Sequence, residues 1–163
     1  EMDFNVLLVD ADVIKASVTR ILLNQNEQGL TDYLSGNVTD LSKVLLSTNI
    51  EKLKILPAGT QNQLSSELLN SKHMDDLLFE FSKRYENRIV IIDSPPILQT
   101  NESRILAHKV GQIVFVVEQN KTERNTVKSA IELIRDDAVV GLVMNKSRTS
   151  KSGSYYGYYG SNA

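Results

Sequence analysis

Cysteine is absent from the 163-residue sequence. Its absence removes disulfide scaffolds, thiolate zinc sites and thiol nucleophiles, and suits a reducing compartment. Neither sign of charge dominates, since 18 Lys and Arg stand against 20 Asp and Glu for a formal net charge of -2. No global positive field therefore exists to hold nucleic acid or an anionic lipid surface. Long apolar runs are missing as well: stretches such as 6–9 and 114–117 fall far short of the roughly 20 residues needed to span a bilayer. The start, Glu1-Met2-Asp3-Phe4, has neither the charged nor the apolar region of a signal peptide and does not begin with Met, so the chain is expected to start inside a longer protein. What remains is the composition of one soluble domain, 41% hydrophobic and 23% charged.

Short apolar, β-branched runs at 5–10, 53–56, 88–93 and 112–117, with a fifth at 139–144, predict strands. They run without alternation, as strands covered on both faces do. Helical patterns lie between them. The segment 71–85 places Met74, Leu77, Leu78 and Phe81 on one stripe, and 121–136 does the same with Val127, Ala130, Ile131 and Ile134. Short helices are expected from Gly29-Leu30-Thr31-Asp32-Tyr33-Leu34 and behind a Thr39-Asp40-Leu41 cap. Strands alternating with helices give right-handed crossovers and hence an α/β fold with a mostly parallel sheet flanked by helices. After Lys146 the composition changes to Ser, Gly, Tyr and basic residues. The expected organisation is therefore a folded domain over 1–146 and a mobile tail over 147–163, too poor in apolar surface to offset its ordering entropy.

Open parallel sheets bind ligands at the carboxyl ends of their strands. Three runs end in informative polar groups: Asp10-Ala11-Asp12, Asp93-Ser94-Pro95-Pro96 and Asn145-Lys146. Carboxylates on neighbouring strand ends can share one hydrated Mg²⁺ with the phosphates of a nucleotide, which points to a nucleoside triphosphate site. Successive strand residues alternate faces, so Asp10 and Asp12 can point the same way if the strand reaches that far. The plainer alternatives are that Asp12 caps a helix over 13–24 and that Asn145 makes a turn after its strand. Pro95 and Pro96 read first as strand terminators. His73 and His108 have no ligand spacing around them and read as surface or capping residues.

The run Val6-Leu-Leu-Val-Asp-Ala-Asp12 resembles the Walker A' strand, and Ile89-Val-Ile-Ile-Asp-Ser-Pro-Pro96 the Walker B strand, of the bacterial tyrosine kinases, a branch of the deviant P-loop ATPases. The segments Gly29-Leu-Thr-Asp-Tyr-Leu34, Ile55-Leu-Pro-Ala-Gly59, Ser66-Glu-Leu-Leu-Asn-Ser71 and Gly141-Leu-Val-Met-Asn-Lys146 fit the same course, so the resemblance spans almost the whole chain. The tail agrees, because Tyr155, Tyr156, Tyr158 and Tyr159 resemble the tyrosine cluster that these kinases autophosphorylate. Arg84-Tyr85, Asn87-Arg88, Glu102-Ser-Arg104, Gly111-Gln112 and the Tyr-Tyr-Gly repeat are most similar to exosortase-associated tyrosine autokinases of exopolysaccharide gene clusters.

The resemblance implies ATP and Mg²⁺ as cofactors, with Asp12 and Asp93 contacting the metal. It implies Asp10 as the group that orients or deprotonates the acceptor phenol, Asn145 as the adenine contact, and the four tail tyrosines as acceptors in trans. Implied partners are further copies of the chain, a membrane polysaccharide co-polymerase or adaptor and a tyrosine phosphatase, with no nucleic acid, at the cytoplasmic face of the membrane.

Two departures stand out. No Gly-Lys pair occurs, so the phosphate-cradling loop of this fold, with its strand and helix, is not in the sequence. A gap in the sheet and weak nucleotide binding by this segment alone are the expectation. Where the family carries an Arg pair and a Pro after Asp12, this chain has Val13-Ile14-Lys15-Ala16-Ser17. Two rivals remain: a partitioning or septum-site ATPase, which has no use for the tyrosine cluster, and a non-catalytic scaffold of the same fold.

Overall fold

A computed structural model describes residues 4–23, 27–83 and 87–147. The tail tyrosines Tyr155, Tyr156, Tyr158 and Tyr159 lie outside the described residues. All five expected strands form: β1 (Asn5–Asp10), β3 (Leu53–Leu56), β4 (Arg88–Asp93), β5 (Gln112–Glu118) and β6 (Val139–Asn145). A sixth, β2 (Leu46–Ser47), is too short to leave a periodic signal. The helices are α1 (Ser17–Leu22), α2 (Leu30–Leu34), α3 (Ser65–Leu69), α4 (Lys72–Lys83), α5 (Asn101–Ala107) and α6 (Arg124–Ile131). Asp40 caps a single 3-10 turn at Leu41–Lys43, its Oδ1 accepting from the Ser42 N–H at 3.0 Å.

Strands are ordered β2-β3-β1-β4 in one sheet and β5-β6 in another. Every pairing is parallel except that of β2 with β3, as the alternation of strands and helices predicts. The core lies on one face of the larger sheet. Leu7 and Val9 of β1 meet Leu69 of α3, Met74, Leu77 and Phe81 of α4, and Leu106 of α5 in one buried cluster. The α4 stripe is buried as its spacing predicts. The opposite face of this sheet is open at Ile89 and Ile91 of β4, and in the second sheet Val114 and Val116 of β5 are exposed as well. Residues covered on both faces in the sequence reading are thus covered here on one.

The second feature is the split itself. Among the described residues β4 pairs only with β1, and β5 only with β6. Val90 and Ile92 of β4 and residues 112–117 of β5 line a common cleft of about 920 Å³. Among the described residues no helix is long and apolar enough to cross a membrane.

The helix expected over 13–24 begins late, at Ser17. Asp12 Oδ1 accepts the Lys15 N–H at 2.9 Å and the Asp12 carbonyl accepts the Ala16 N–H, so residues 12–16 close a turn before α1 starts. Ala16 completes it in the left-handed region, at φ 47° and ψ 49°, which costs a residue with a Cβ about 1–2 kcal/mol. The helix expected over 121–136 is also shortened, to Arg124–Ile131.

Candidate functional site

The site is assembled where β1, β3 and β4 end. Asp10 and Asp93 are register partners on adjacent parallel strands, and the Ala11 N–H extends the ladder to the Asp93 carbonyl at 2.8 Å. Asp12 follows two residues after Asp10 and is buried to 6% exposure, with its Oδ2 without a protein donor among the described residues. The three carboxylates crowd one another. Burial, and after it the negative charges of Asp10 and Asp12, raise the Asp93 carboxyl from its ordinary value of 3.8.

Asp10 is fully buried, at 0% exposure. Its Oδ2 accepts both the backbone N–H and the hydroxyl of Thr19 at 2.7 Å, and its Oδ1 accepts the Asp12 N–H at 3.2 Å. The Thr19 hydroxyl in turn accepts the Ala58 N–H at 3.1 Å, which ties the end of β3 to the end of β1. An approaching phenol finds no open face on this carboxylate, so the arrangement lends no support to direct contact between Asp10 and the acceptor.

The loop after β3 is held from its other side by the two segments that the sequence flagged at 29–34 and 55–59. Asp32 Oδ2 accepts the N–H groups of Gly29 and Thr60, both at 2.9 Å. The Thr31 hydroxyl lies 2.7 Å from the Thr60 carbonyl and 3.1 Å from that of Ala58. Only glycine fits at Gly29, where a Cβ would sit 2.1 Å from the Pro57 carbonyl oxygen, and Gly59 takes φ 90°.

The loop after β4 is anchored to α5. The Ser103 hydroxyl donates to the Pro95 carbonyl, the Gln99 N–H to that of Pro96, and Thr100 caps the helix through the Ser103 N–H. Glu102 fastens α5 to α3. Buried to 7% exposure, its Oε1 accepts the hydroxyls of Ser66 at 2.7 Å and Ser65 at 3.1 Å. Burial alone would raise this carboxyl, but the Ser66 hydroxyl, its own backbone N–H and the Ser65 hydroxyl hold it below its ordinary 4.5.

Asn145 stands apart from the three aspartates, at the exposed end of β6. Its carbonyl accepts the Gln119 N–H and its Oδ1 the Lys146 N–H, at 3.0 and 2.8 Å. The turn chemistry anticipated for it is therefore present. Beside it, Glu118 takes ion pairs from Lys146 (3.0 Å) and Lys121 (3.2 Å). Gln119 Oε1 is buried with no protein partner among the described residues. His73 Nδ1 lies 3.3 Å from the Leu34 carbonyl and His108 follows α5 as its C-cap, the bland roles expected of them.

The three aspartates named from the sequence lie at or just beyond the ends of β1 and β4, and the sequence reading did not anticipate the ties made by Thr19, Glu102 and Ser103. A threonine in a helix and polar residues at a helix start carry no signal of their own, since their partners are 9, 36 and 8 residues away.

Among the described residues no three His, Asp or Glu side chains gather into a complete cation cage. A pair of aspartates nonetheless suits Mg²⁺, which retains several waters and takes further oxygens from nucleotide phosphates. The negative charge crowded at Asp93 is of the kind that a divalent cation neutralises.

No family model matches the sequence. Tyrosine-protein kinase YwqD of Bacillus subtilis is 34% identical over 157 residues, covering 95% of this chain and 65% of YwqD. CapB of Staphylococcus aureus is 31% identical over 159 residues, covering 96% of this chain and 68% of CapB. The chain thus spans about two thirds of the length of these relatives. The kinase domain of the Escherichia coli tyrosine kinase ETK superposes with a TM-score of 0.82 at 26% identity, over 99% of this chain and 62% of that one. The septum site-determining protein MinD of Pyrococcus horikoshii, complexed with Mg-ADP, shares the fold at 21% identity, with a TM-score of 0.68 over 92% of this chain and 61% of that one. With its Walker A'-like and B-like strands paired in register and its likeness to CapB extending over two thirds of that protein, the chain belongs to the bacterial tyrosine-protein kinase family.

Proposed function

We propose that the chain is part of a protein-tyrosine autokinase that uses Mg·ATP to phosphorylate its own tail at Tyr155, Tyr156, Tyr158 and Tyr159 in trans. The observation that carries this reading is the register pairing of Asp93 with Asp10, the last residue of β1 and two positions before Asp12, which brings carboxylates from two adjacent strands to one edge of the sheet. Asp12 and Asp93 would hold Mg²⁺, directly or through water, and the ion when bound neutralises charge on the transferring phosphoryl group. Phosphoryl transfer depends chiefly on positioning and charge, a task that fixed carboxylates on rigid strand ends can serve. Asn145 would contact the adenine from the second sheet.

The cleft between β4 and β5 supports placing the phosphate-cradling strand there. Both flanking edges lack a partner among the described residues, both strands are parallel to their neighbours, and the apolar side chains beside them are exposed. A strand from another segment of the intact protein would complete the ladder and bring a phosphate loop next to Asp12. Without it, the chain is expected to bind ATP weakly and catalyse nothing.

The tail supplies the regulation. Each phosphate adds about -1.5 to -2 charges. Several of them would repel one another and the carboxylates of the site, so phosphorylated tails should leave it and release an oligomer built by tail docking. Control of exopolysaccharide synthesis or export, through a membrane co-polymerase and opposed by a phosphatase, is the setting proposed.

The test is phosphotyrosine mass spectrometry on the intact gene product after incubation with Mg·ATP, beside an Asp12→Ala variant. Phosphate on 155–159 that disappears in the variant is expected. ATP hydrolysis with no phosphotyrosine would instead favour a partitioning-type ATPase, and neither activity a scaffold.

A further inference from the structure

Asp10 sits at the centre of a closed set of hydrogen bonds that the proposed chemistry does not use. Its two oxygens hold opposite ends of one loop: Oδ1 takes the N–H of Asp12, where the loop begins, and Oδ2 takes the N–H and hydroxyl of Thr19, one turn into α1. Between them lies the turn that Ala16 completes at φ 47°. A backbone in that region persists only where its surroundings over-determine it. Here the restraint is visible. Asp12 is held through its backbone N–H by Asp10, through Oδ1 by Lys15, and the far end of the loop is fixed by Thr19.

The Thr19 hydroxyl both donates and accepts. Its hydroxyl has one proton and two lone pairs. The proton goes to Asp10, and one lone pair receives the Ala58 N–H from the loop after β3. The residue is buried to 6% exposure, so water cannot replace either partner cheaply. Removing the hydroxyl would leave the buried Asp10 carboxylate short of one donor and the buried Ala58 N–H without an acceptor, one defect two residues from Asp12 and one on the loop after β3.

We infer that Thr19 is a positioning residue, locking Asp10 as an internal brace that fixes the direction in which Asp12 is presented to Mg²⁺. The inference rests on the reading of Asp12 as a metal contact. Partners that orient a metal ligand from behind typically contribute 10- to 100-fold in metal affinity or activity.

The experiment uses the intact protein with Thr19→Val, which keeps the shape and loses the hydroxyl, and Thr19→Ser, which keeps the hydroxyl and loses the methyl. Mn²⁺ affinity in the presence of ADP is read by electron paramagnetic resonance, apart from phosphotyrosine formation. The expected result is a loss of Mn²⁺ affinity of about 10-fold or more in Thr19→Val, an unchanged affinity for metal-free ADP, and recovery to within about threefold in Thr19→Ser.

Equal Mn²⁺ affinity in wild type and Thr19→Val overturns the brace while leaving the kinase intact. If Thr19→Val fails to fold, Thr19→Ser decides: an affinity near wild type supports the hydroxyl's role, and a 10-fold loss with the fold retained overturns it. Wild type that binds Mn·ADP but makes no phosphotyrosine removes the kinase reading, and the affinity comparison still judges Thr19. Wild type that binds no Mn²⁺ with ADP removes both.

Discussion

Asp10 and Asp93 stand side by side in register at the ends of β1 and β4, and the first is sealed in the protein while the second is half-buried at the cleft. Two like charges on adjacent strands divide the labour: one is saturated with donors, and the other is left with its charge unanswered.

Asp93→Asn should therefore stabilise the metal-free intact protein, because it removes a charge whose ionisation burial and two neighbouring carboxylates oppose. The same variant should lose the stabilisation that Mg²⁺ with ADP gives to wild type. Thermal melts with and without Mg·ADP check both. A fall in melting temperature without metal would show that the charge repulsion at this site is not felt.

Ala16→Gly should raise stability by about 1 kcal/mol, since glycine adopts the left-handed region without steric cost and loses part of that gain to unfolded-chain entropy. Ala16→Pro cannot adopt φ 47° at all and should disrupt the turn before α1. Urea unfolding midpoints of the two variants, moving in opposite directions, would check the backbone geometry directly.

Glu102 makes a pH-dependent contribution. The serine hydroxyls lower its folded value below the ordinary 4.5 in spite of burial, so its stabilisation is present above pH 4.5 and is lost as the pH falls through the lower folded value. Urea melts between pH 6 and pH 3 should show a weaker acid dependence for Glu102→Gln than for wild type, both series read as midpoints. Equal slopes would mean that the Ser65 and Ser66 bonds do not distinguish the ionised form.

Gly29→Ala drives a Cβ into the Pro57 carbonyl at 2.1 Å. Overpacking of this kind typically costs about 1–3 kcal/mol, and the backbone that must yield carries Ala58, the donor to Thr19. The variant should lose Mn²⁺ affinity as well as stability, whereas Gly36→Ala, where a Cβ meets nothing within 4 Å but φ is 81°, should lose stability only. Parallel measurement of both quantities separates the two cases.

The strands were legible because apolar β-branched runs leave a strong local signal, and with them the position of the three aspartates at or just beyond strand ends. What the sequence hid were the long-range ties. Thr19 reaches Ala58 across 39 positions, and Glu102 reaches Ser65 across 37. The late start of α1 was hidden for a different reason: the apolar pattern continues through 13–16, while a side-chain bond from Asp12 and a left-handed Ala16 override it. Asn145 was read both as a turn former and as a ligand contact, and its bonds to Gln119 and Lys146 display the first role.

The cleft that parts β4 from β5 divides the backbone ladder into two cooperative units. Amide protons of β5 and β6 depend on each other for protection, as do those of β1, β3 and β4, and no ladder bond among the described residues ties one group to the other. A nucleotide gripped at one end by Asp12 and Asp93 and at the other by Asn145 would span that division. Its binding should slow hydrogen exchange in both units together, turning two local opening equilibria into one.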